Sequence, residues 1–272
     1  MFVGGGAVFF SAPSFFGVIS RAKKAYTVSA MPTAVTHQLL AEEAYKLLPR
    51  ACRAEISSLP HYYFGAQGCD VLFFYRPLSS PSDNFGRALH AADPAPFFRI
   101  LFEEAQKNKE VKSYALGYIT HYAGDVAFHE RIYSLTRGKE KRLTHHAAEH
   151  AFDGALASKL RGKNLAFVNV SSPKKAEKRA VYNVYARYAC DAGLKNADER
   201  EFLRAVRRYY AFARFRLPLF RKKYTRQAEE LFLTAKEESV RLIKAFLAAK
   251  DAEVAGKYFK KSFLSGKIAR KK

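Results

Sequence analysis

Apolar residues recur at helical spacing through most of the chain from Thr36 onward. The stretch THQLLAEEAYKLL predicts a first helix with Thr36 as its N-cap and Pro49 at its end. Further periodic stretches predict helices over 95–108, 112–136, 143–160, 175–194, 197–216 and 223–250, whereas the Gly-, Pro- and Ser-punctuated residues 60–86 are predicted to be a loop region. Short apolar runs such as LAFVNV are too few for a sheet. The pattern therefore predicts an all-α fold, a single multi-helix domain over residues 31–250.

Both ends of the chain differ from this pattern. Residues 1–30 are rich in Gly, Ser and Phe, contain no acidic residue and lack a helical period. We interpret them as an N-terminal extension, which is disordered, a targeting peptide or the product of a misplaced start upstream of Met31, and we favour the misplaced start. The last 16 residues contain seven basic residues and no acid. Residues 251–272 are therefore predicted to be a solvated basic tail.

Composition adds a strong charge to an otherwise ordinary globular profile. The 272 residues are 49% hydrophobic and have a net charge of +22, which favours anionic partners such as phosphate esters, nucleic acid or acidic lipid. No apolar run approaches the roughly 20 residues that span a bilayer. Three cysteines, at 52, 69 and 190, form neither a metal motif nor a disulfide framework. They favour a reducing compartment, so we expect a cytoplasmic rather than a secreted protein, with Cys69 contributing only packing.

Two predicted helices carry imidazoles and carboxylates four residues apart. Four residues turn a helix by about 400°, so His121, Asp125 and His129 share one face. His145 and Glu149 repeat the spacing, and Asp153 continues it. If the two helices pack against each other, nitrogen and oxygen donors converge as they do in metal sites of helical bundles. A solvated polar face explains the pattern equally well, because a single helical histidine is more often a surface residue than a ligand.

Polar residues outside these helices favour the metal interpretation. Glycines on both sides of Ala66–Gln67 predict a tight turn that presents Asp70, and His90 is placed at a helix end before a Pro-containing turn. His37 lies at the start of the first predicted helix. Zinc accepts both nitrogen and carboxylate ligands, and Asp125 is placed to bridge two ions. The remaining histidines are interpreted as surface or supporting residues: His61, His146 and His150.

The order of the motifs THQLLAEEA, GAQGCD, GRALH, GYITHYAGDVAFH and HHAAEHAFD resembles the bacterial zinc-dependent phospholipase C family, whose fold is shared with trinuclear-zinc nucleases. The resemblance covers residues 31–160 and implies an all-helical fold with two or three zinc ions in a cleft. The ligands that it implies are His37, Asp70, His90, His121, Asp125, His129, His145 and Glu149. It also implies that Asp125 bridges two ions, and Asp70 is either a ligand alone or both a ligand and the general base. Asp153 is expected to orient a ligand imidazole.

One family feature is absent. Secreted members use an N-terminal tryptophan as a ligand, and this chain has no tryptophan. We therefore expect one zinc site either to be incomplete or to be completed by water or another backbone group. The aromatic residues that grip a headgroup in the family have candidates here that are equally well explained as core residues: Tyr62, Tyr63, Phe64, Phe73, Phe74 and Tyr75.

A multi-zinc site in a basic protein indicates phosphodiester hydrolysis by metal-activated water. Three hypotheses follow: a phospholipase C-type enzyme, a nuclease or other phosphodiesterase with the same zinc cluster, and a non-catalytic metal-stabilised module that binds an anionic partner. Phospholipid is favoured over nucleic acid, with peripheral contact to an anionic membrane. The segment 204–226, rich in basic and aromatic residues, is either that anionic-partner surface or an ordinary amphipathic helix. Its candidate contact residues are Arg207, Arg208, Arg214, Arg216, Arg221, Lys222 and Lys223.

Overall fold

The computed structural model describes residues 34–77, 84–136, 145–161, 174–193, 198–214 and 225–263. Within these ranges the fold is all-α, as predicted, and no β-strand is present. The helices are α1 (Ala34–Leu47), α2 (Arg50–Ala54), α3 (Leu59–Ala66), α4 (Phe85–Ala91), α5 (Pro94–Lys107), α6 (Lys109–Thr136), α7 (His145–Arg161), α8 (Lys175–Asp191), α9 (Glu199–Arg214), α10 (Thr225–Ala248) and α11 (Ala252–Gly256). A 3₁₀ segment, Gly68–Phe74, joins α3 to the region before α4. None of the described helices is long and apolar enough to cross a membrane.

Helix α6 is the centre of the fold. Every residue from Ser113 to Asp125 is buried, so the helix is enclosed on all sides over this stretch. Helices α1, α3, α5, α7, α8 and α10 all pack against it. Polar side chains in such a position must be paired or coordinated, because burying them without a partner is unfavourable. This placement makes His121 and Asp125, both inside the enclosed stretch, candidates for a binding function.

Two glycines allow α3 and α6 to approach backbone to backbone. A Cβ atom added to Gly117 would lie 1.8 Å from the carbonyl oxygen of Tyr62, and one added to Gly65 would lie 2.0 Å from that of Tyr114. Neither helix can therefore carry a side chain at the crossing. The close approach brings the 3₁₀ segment that follows α3 against the middle of α6, where the polar residues lie.

The crossing predicts a difference between two alanine substitutions on α6. Gly117→Ala is expected to lower the free energy of unfolding by about 3 kcal/mol, because the new methyl group meets rigid backbone. Gly124→Ala serves as the comparison, because its methyl group would meet side-chain atoms of Leu40 and His37 at 3.1 and 3.2 Å. Chemical denaturation of both variants measures the difference. Equal losses of stability would contradict the proposed role of the crossing.

Two predictions about local structure are wrong. The sequence predicts a loop region over residues 60–86, but these residues contain all of α3 except Leu59, the 3₁₀ segment and the start of α4. In these short elements glycine allows segments to approach closely, and proline starts a helix. Pro60, for example, occupies the first turn of α3. Thr36 lies inside α1 rather than capping it, and its backbone N–H donates to Asp153 Oδ1 at 2.8 Å.

The predicted tail boundary at residue 251 also needs correction. Helix α11 lies within that tail, and both Phe259 and Phe263 are buried. Phe259 stacks on Phe98 of α5 with a centroid distance of 3.5 Å. The packing of this segment is not evident from the sequence, because basic residues lie between the aromatic residues that face the core. Residues 264–272 lie outside the described ranges, as do residues 1–30 and the segment LAFVNV.

Candidate metal centre

The face of α6 predicted from the sequence is a buried row of polar groups. His121, Asp125 and His129 are exposed by only 0%, 2% and 4%, which excludes the solvated polar face considered above. Asp125 lies at the middle of the row. Its carboxylate oxygens lie 3.4 Å from Nε2 of His121 and 3.9 Å from Nδ1 of His129. Histidines from other helices complete its surroundings: Nε2 of His37 lies 3.3 Å away and Nε2 of His90 lies 3.5 Å away.

One group of candidate ligands consists of Asp70, His90, His121 and Asp125, all of them buried. Asp70 comes from the 3₁₀ segment, where Gly68 adopts a φ of +53°. A Cβ atom at Gly68 would lie 2.0 Å from the ring of His121, so this turn requires glycine. Nδ1 of His90 donates to the carbonyl oxygen of Gly86 at 2.7 Å. That bond directs Nε2 of His90 towards Asp70 Oδ1, 3.0 Å away.

A second group consists of His129, His145 and Glu149, contributed by α6 and α7. Glu149 Oε1 lies 2.8 Å from Nε2 of His145 and 3.5 Å from Nε2 of His129. The two imidazole rings stack with their centroids 5.2 Å apart. The two predicted ladders therefore face each other across the α6–α7 contact, and the structure brings together all eight residues of the predicted ligand set.

His37 reaches the cluster from α1. Its Nε2 lies between Asp70 and Asp125, 3.6 Å from the nearest oxygen of Asp70. Asp153, predicted to orient a ligand imidazole, accepts hydrogen bonds from the backbone N–H and the hydroxyl group of Thr36, the hydroxyl bond being 2.6 Å long. Asp153 therefore holds the first turn of α1 and positions His37 through the backbone of the adjacent residue.

The donor groups fit zinc. Neither carboxylate oxygen of Asp70, nor Asp125 Oδ2, nor Nδ1 of His121 has a hydrogen-bond partner among the described residues. Buried polar atoms without partners are unfavourable unless an ion or water satisfies them. Ligands on one tetrahedral zinc ion, bound at about 2.0–2.2 Å, are separated by roughly 3.3 Å. Three imidazole–carboxylate distances in the first group, 3.0, 3.4 and 3.5 Å, are close to this separation, and the fourth, between His121 and Asp70, is 3.8 Å.

The same groups perturb one another's pKa values. Burial raises the pKa of Asp70 to about 6, an effect that its imidazole neighbours only partly offset. Burial also acts to raise the pKa of Asp125, but His121 and His129 hold it well below its usual range. Burial lowers the pKa of His129, yet the charges of Asp125 and Glu149 more than compensate and raise it to about 9.

We expect zinc binding to release protons at neutral pH. A ligating imidazole must be neutral at the bound nitrogen, whereas His129, with a pKa of about 9, carries a proton on each nitrogen below that pH in the metal-free protein. Zinc affinity should therefore rise with pH and level off above about 9. Calorimetric titration with zinc in buffers of different ionisation enthalpy measures the release. Binding enthalpies that do not depend on the buffer at neutral pH would contradict it.

A backbone carbonyl group orients one histidine of the second group, and this contact was not predicted from the sequence. The carbonyl oxygen of Phe263 accepts a hydrogen bond from Nδ1 of His129 at 2.7 Å. This bond fixes the ring orientation, so that Nε2 of His129 faces Glu149. The Phe263 side chain is buried, and the centroid of its ring lies 5.2 Å from that of Tyr122. The bond spans 134 positions of sequence and uses a backbone atom, so no residue pattern indicates it.

Shortening the chain tests the contribution of Phe263. A chain that ends at Ser262 is expected to bind zinc at the second group about 10–100-fold more weakly, as is usual when a bond that orients a ligand is lost. A chain that ends at Ser265 retains the carbonyl group and is the control. Competition with a chromogenic chelator measures both affinities. Equal affinities in the two chains would show that His129 does not need this bond.

A pocket opens beside the cluster, with an empty volume of about 280 Å³ including the part open to solvent. It is lined by Thr36, His37, Gly124, Asp125, Phe128, His129, Ile132, Glu149 and Phe152. The sequence does not identify the apolar residues of the lining, because their spacing is that of ordinary core positions of a helix. The aromatic candidates for a headgroup site do not line this pocket. Tyr62, Phe64, Phe73 and Tyr75 are core residues, which agrees with the alternative interpretation.

The predicted anionic-partner surface is only partly described. Arg207 is exposed on α9. Arg208 instead donates to Glu201 at 2.5 Å and to the carbonyl oxygen of Phe74 at 3.1 Å, which ties it to the fold. Tyr209 and Tyr210 are buried and unable to stack on bases. The side chains of the other candidates lie outside the described residues: Arg214, Arg216, Arg221, Lys222 and Lys223.

Comparisons with known proteins agree with this geometry. The family model described as zinc dependent phospholipase C matches residues 36–213, which include all eight candidate ligands and both groups. No curated protein and no solved structure matches the chain. The matched segment covers well over half of the chain and contains the polar cluster and most of the helices. The chain therefore belongs to the zinc-dependent phospholipase C family.

Proposed function

We propose that this protein is a zinc-dependent phosphodiester hydrolase of the phospholipase C type. One observation carries the proposal: two groups of candidate zinc donors, buried except for the half-buried His145, meet at Asp125, and a solvent-connected pocket is lined by residues of that cluster. A buried cluster without an adjoining pocket would fit a structural ion. The pocket lining includes His37, His129 and Glu149, so a substrate reaching it would lie against the ligand residues.

The chain's own residues hold and orient the reaction centre. The first group would hold one ion, the second group another, and Asp125 lies between them as the common carboxylate. Bound zinc supplies Lewis acidity, which lowers the pKa of water and stabilises negative charge on phosphate oxygens. The backbone carbonyl oxygens of Gly86 and Phe263 accept hydrogen bonds from Nδ1 of His90 and of His129, respectively. These bonds fix the tautomer of each imidazole. Phe128 and Phe152 form the apolar wall of the pocket and limit the access of bulk water.

Asp70 is assigned as a ligand in this proposal. Its side chain is fully buried and does not line the pocket, so its oxygens face imidazoles rather than the substrate position. A general base must come within hydrogen-bond reach of the proton that it removes. The pocket-lining carboxylates, Asp125 and Glu149, are nearer to that position. The role of Asp70 as general base stays a prediction from sequence.

Phospholipid is the proposed substrate. The net charge of +22 favours an anionic surface, and the exposed side chain of Arg207 is consistent with contact to anionic lipid. Nucleic acid is disfavoured because recognition of single strands uses exposed aromatic platforms, whereas Tyr209 and Tyr210 are in the core. We propose peripheral contact with an anionic membrane and a cytoplasmic location, in keeping with the unpaired cysteines.

Parallel substrate assays test the function. Zinc-loaded protein is given phosphatidylcholine vesicles, single-stranded oligonucleotide and a small aryl phosphodiester, each with and without chelator. Chelator-sensitive release of phosphocholine, exceeding the turnover of the oligonucleotide, is expected. Preferential cleavage of the oligonucleotide would instead assign a nuclease. Stoichiometric zinc without turnover of any of the three would support the non-catalytic metal-stabilised module.

A further inference from the structure

A buried glutamine precedes the segment that carries Asp70. Gln67 lies between α3 and the 3₁₀ segment and is 0% exposed, although the sequence places it only in a turn between two glycines. Glutamine is seldom fully buried, because its amide has both donors and an acceptor to satisfy. The partners of this side chain therefore indicate its role.

The amide of Gln67 is bonded on both sides. Its Oε1 accepts a hydrogen bond from the hydroxyl group of Tyr209 on α9 at 2.5 Å, and its Nε2 donates to the carbonyl oxygen of Ala34 at 3.4 Å. A backbone carbonyl group can only accept, so the amide nitrogen must face Ala34 and the amide oxygen must face Tyr209. The hydroxyl group of Tyr209, a side chain that is itself only 1% exposed, therefore fixes the orientation of the amide.

These bonds join the two segments that present His37 and Asp70. Ala34 is the first residue of α1 and precedes His37 by three positions, and Gln67 precedes Asp70 by three positions. Nε2 of His37 lies 3.6 Å from Oδ2 of Asp70, although the two residues belong to different elements. The side chain of Gln67 is thus a short tie between the backbones of those elements.

Tyrosine hydroxyl groups also hold the next residue of the turn. The carbonyl oxygen of Gly68 accepts a hydrogen bond from Tyr185 of α8 at 3.3 Å, and the hydroxyl oxygens of Tyr114 and Tyr185 are 2.5 Å apart. Since Tyr185 donates to the carbonyl group, Tyr114 donates to Tyr185. Helices α8 and α9 carry none of the eight candidate ligands. Their buried hydroxyl groups instead hold the start of the segment that presents Asp70.

We propose that Gln67 is a positioning residue of the metal centre: its amide, oriented by Tyr209, sets the separation of Asp70 from His37. Ligand groups must be held within about 0.5 Å of the geometry that an ion requires, and bonds to the residues behind them supply that precision. Tyr209 acts through Gln67, since its hydroxyl group donates to that amide. The two residues should therefore behave as one unit.

Zinc titrations of single and double variants of the full-length protein test this. Tyr209→Phe removes only the hydroxyl oxygen, and Gln67→Met removes both bonds of the amide at nearly constant volume. Each is expected to weaken zinc binding by about 10-fold, measured by competition with a chromogenic chelator. Adding Tyr209→Phe to Gln67→Met should cause no further loss, because the hydroxyl group then has no amide to orient. Losses that multiply, or no loss in either single variant, would overturn the proposal.

The visible spectrum of the cobalt-substituted protein separates positioning from a general loss of stability. Ligand-field bands of Co²⁺ respond to the arrangement of its ligands, so Tyr209→Phe and Gln67→Met should both shift them. Ser239→Ala is the control, because it also removes a buried hydroxyl group, whose 2.7 Å bond to the carbonyl oxygen of Ala235 stays within α10. This variant should keep the wild-type bands and zinc affinity. If it lost as much affinity as Tyr209→Phe, or shifted the bands equally, the role of Gln67 would be merely structural and the proposal wrong.

The outcome is independent of the proposed reaction, because both measurements report metal binding and need no turnover. Unchanged affinity and bands in Tyr209→Phe refute the positioning role and leave phosphodiester hydrolysis standing. Shifted bands in a protein that hydrolyses none of the three substrates refute only the proposed function. Tyr209→Phe removes a single oxygen atom, so it remains a decisive test even if Gln67→Met does not fold.

Discussion

Asp125→Asn is expected to reduce phosphodiester hydrolysis by about a thousandfold or more. The carboxylate lies within 3.3–3.9 Å of His37, His90, His121 and His129, and an amide of the same shape carries no charge to attract an ion. Metal ions stabilise transition-state charge by several kcal/mol, and each 1.36 kcal/mol is a factor of ten in rate. Release of phosphocholine from vesicles measures the rate, and elemental analysis measures the zinc content.

Glu130→Gln is the matched control for this substitution. Glu130 is an exposed residue of the same helix, and its substitution also replaces a carboxylate with an amide. The control should keep both its zinc and its activity. If Asp125→Asn retained full zinc content and lost less than tenfold in rate, Asp125 would be neither the common carboxylate nor essential for the reaction.

Removing zinc is expected to lower the melting temperature by roughly 10 °C for each ion lost. An ion present at a thousand times its dissociation constant stabilises the folded state by about 4 kcal/mol, and a domain of this size loses about 2–4 °C per kcal/mol. The physical cause is the cluster itself. Without an ion, the carboxylates of Asp70 and Asp125 remain buried among imidazoles, and both oxygens of Asp70 and Oδ2 of Asp125 have no hydrogen-bond partner among the described residues.

Calorimetric scans of chelated and zinc-reloaded protein measure this shift. Mg²⁺ is the control ion, because it prefers six oxygen ligands and retains its water, so it should restore little of the loss. Asp125→Asn should show a smaller response to zinc than the wild-type protein. An unchanged melting temperature after complete removal of zinc would mean that the cluster is stable without an ion.

The two rows of candidate ligands on α6 and α7 could be predicted from sequence because their spacing is local. Positions four residues apart share a helix face whatever the tertiary structure, so the row from His121 to His129 and the pair His145 and Glu149 were visible in the pattern. Periodicity likewise predicted the all-α fold and the long helices. The convergence of the two ladders required only that α6 and α7 pack together, as the structure shows.

The remaining features depend on contacts between distant segments. Short helices such as α3 have too few turns to establish a period, and Gly65, which serves the crossing with α6, has the appearance of a loop residue in the sequence. Cys69 lies 52 positions from His121 in sequence, so its approach to the imidazole was not predictable. The segment up to Phe263 looked like a solvated tail, because its lysines outnumber its core-facing aromatic residues.

The bond between Phe263 and His129 also has a consequence for the order of assembly in the cell. The carbonyl group that orients His129 lies 134 positions after its partner in the sequence. All the candidate ligands lie at or before Glu149, so the helices that carry them leave the ribosome before Phe263 does. We therefore expect the second zinc group to mature only after Phe263 has emerged and packed, later than the first group.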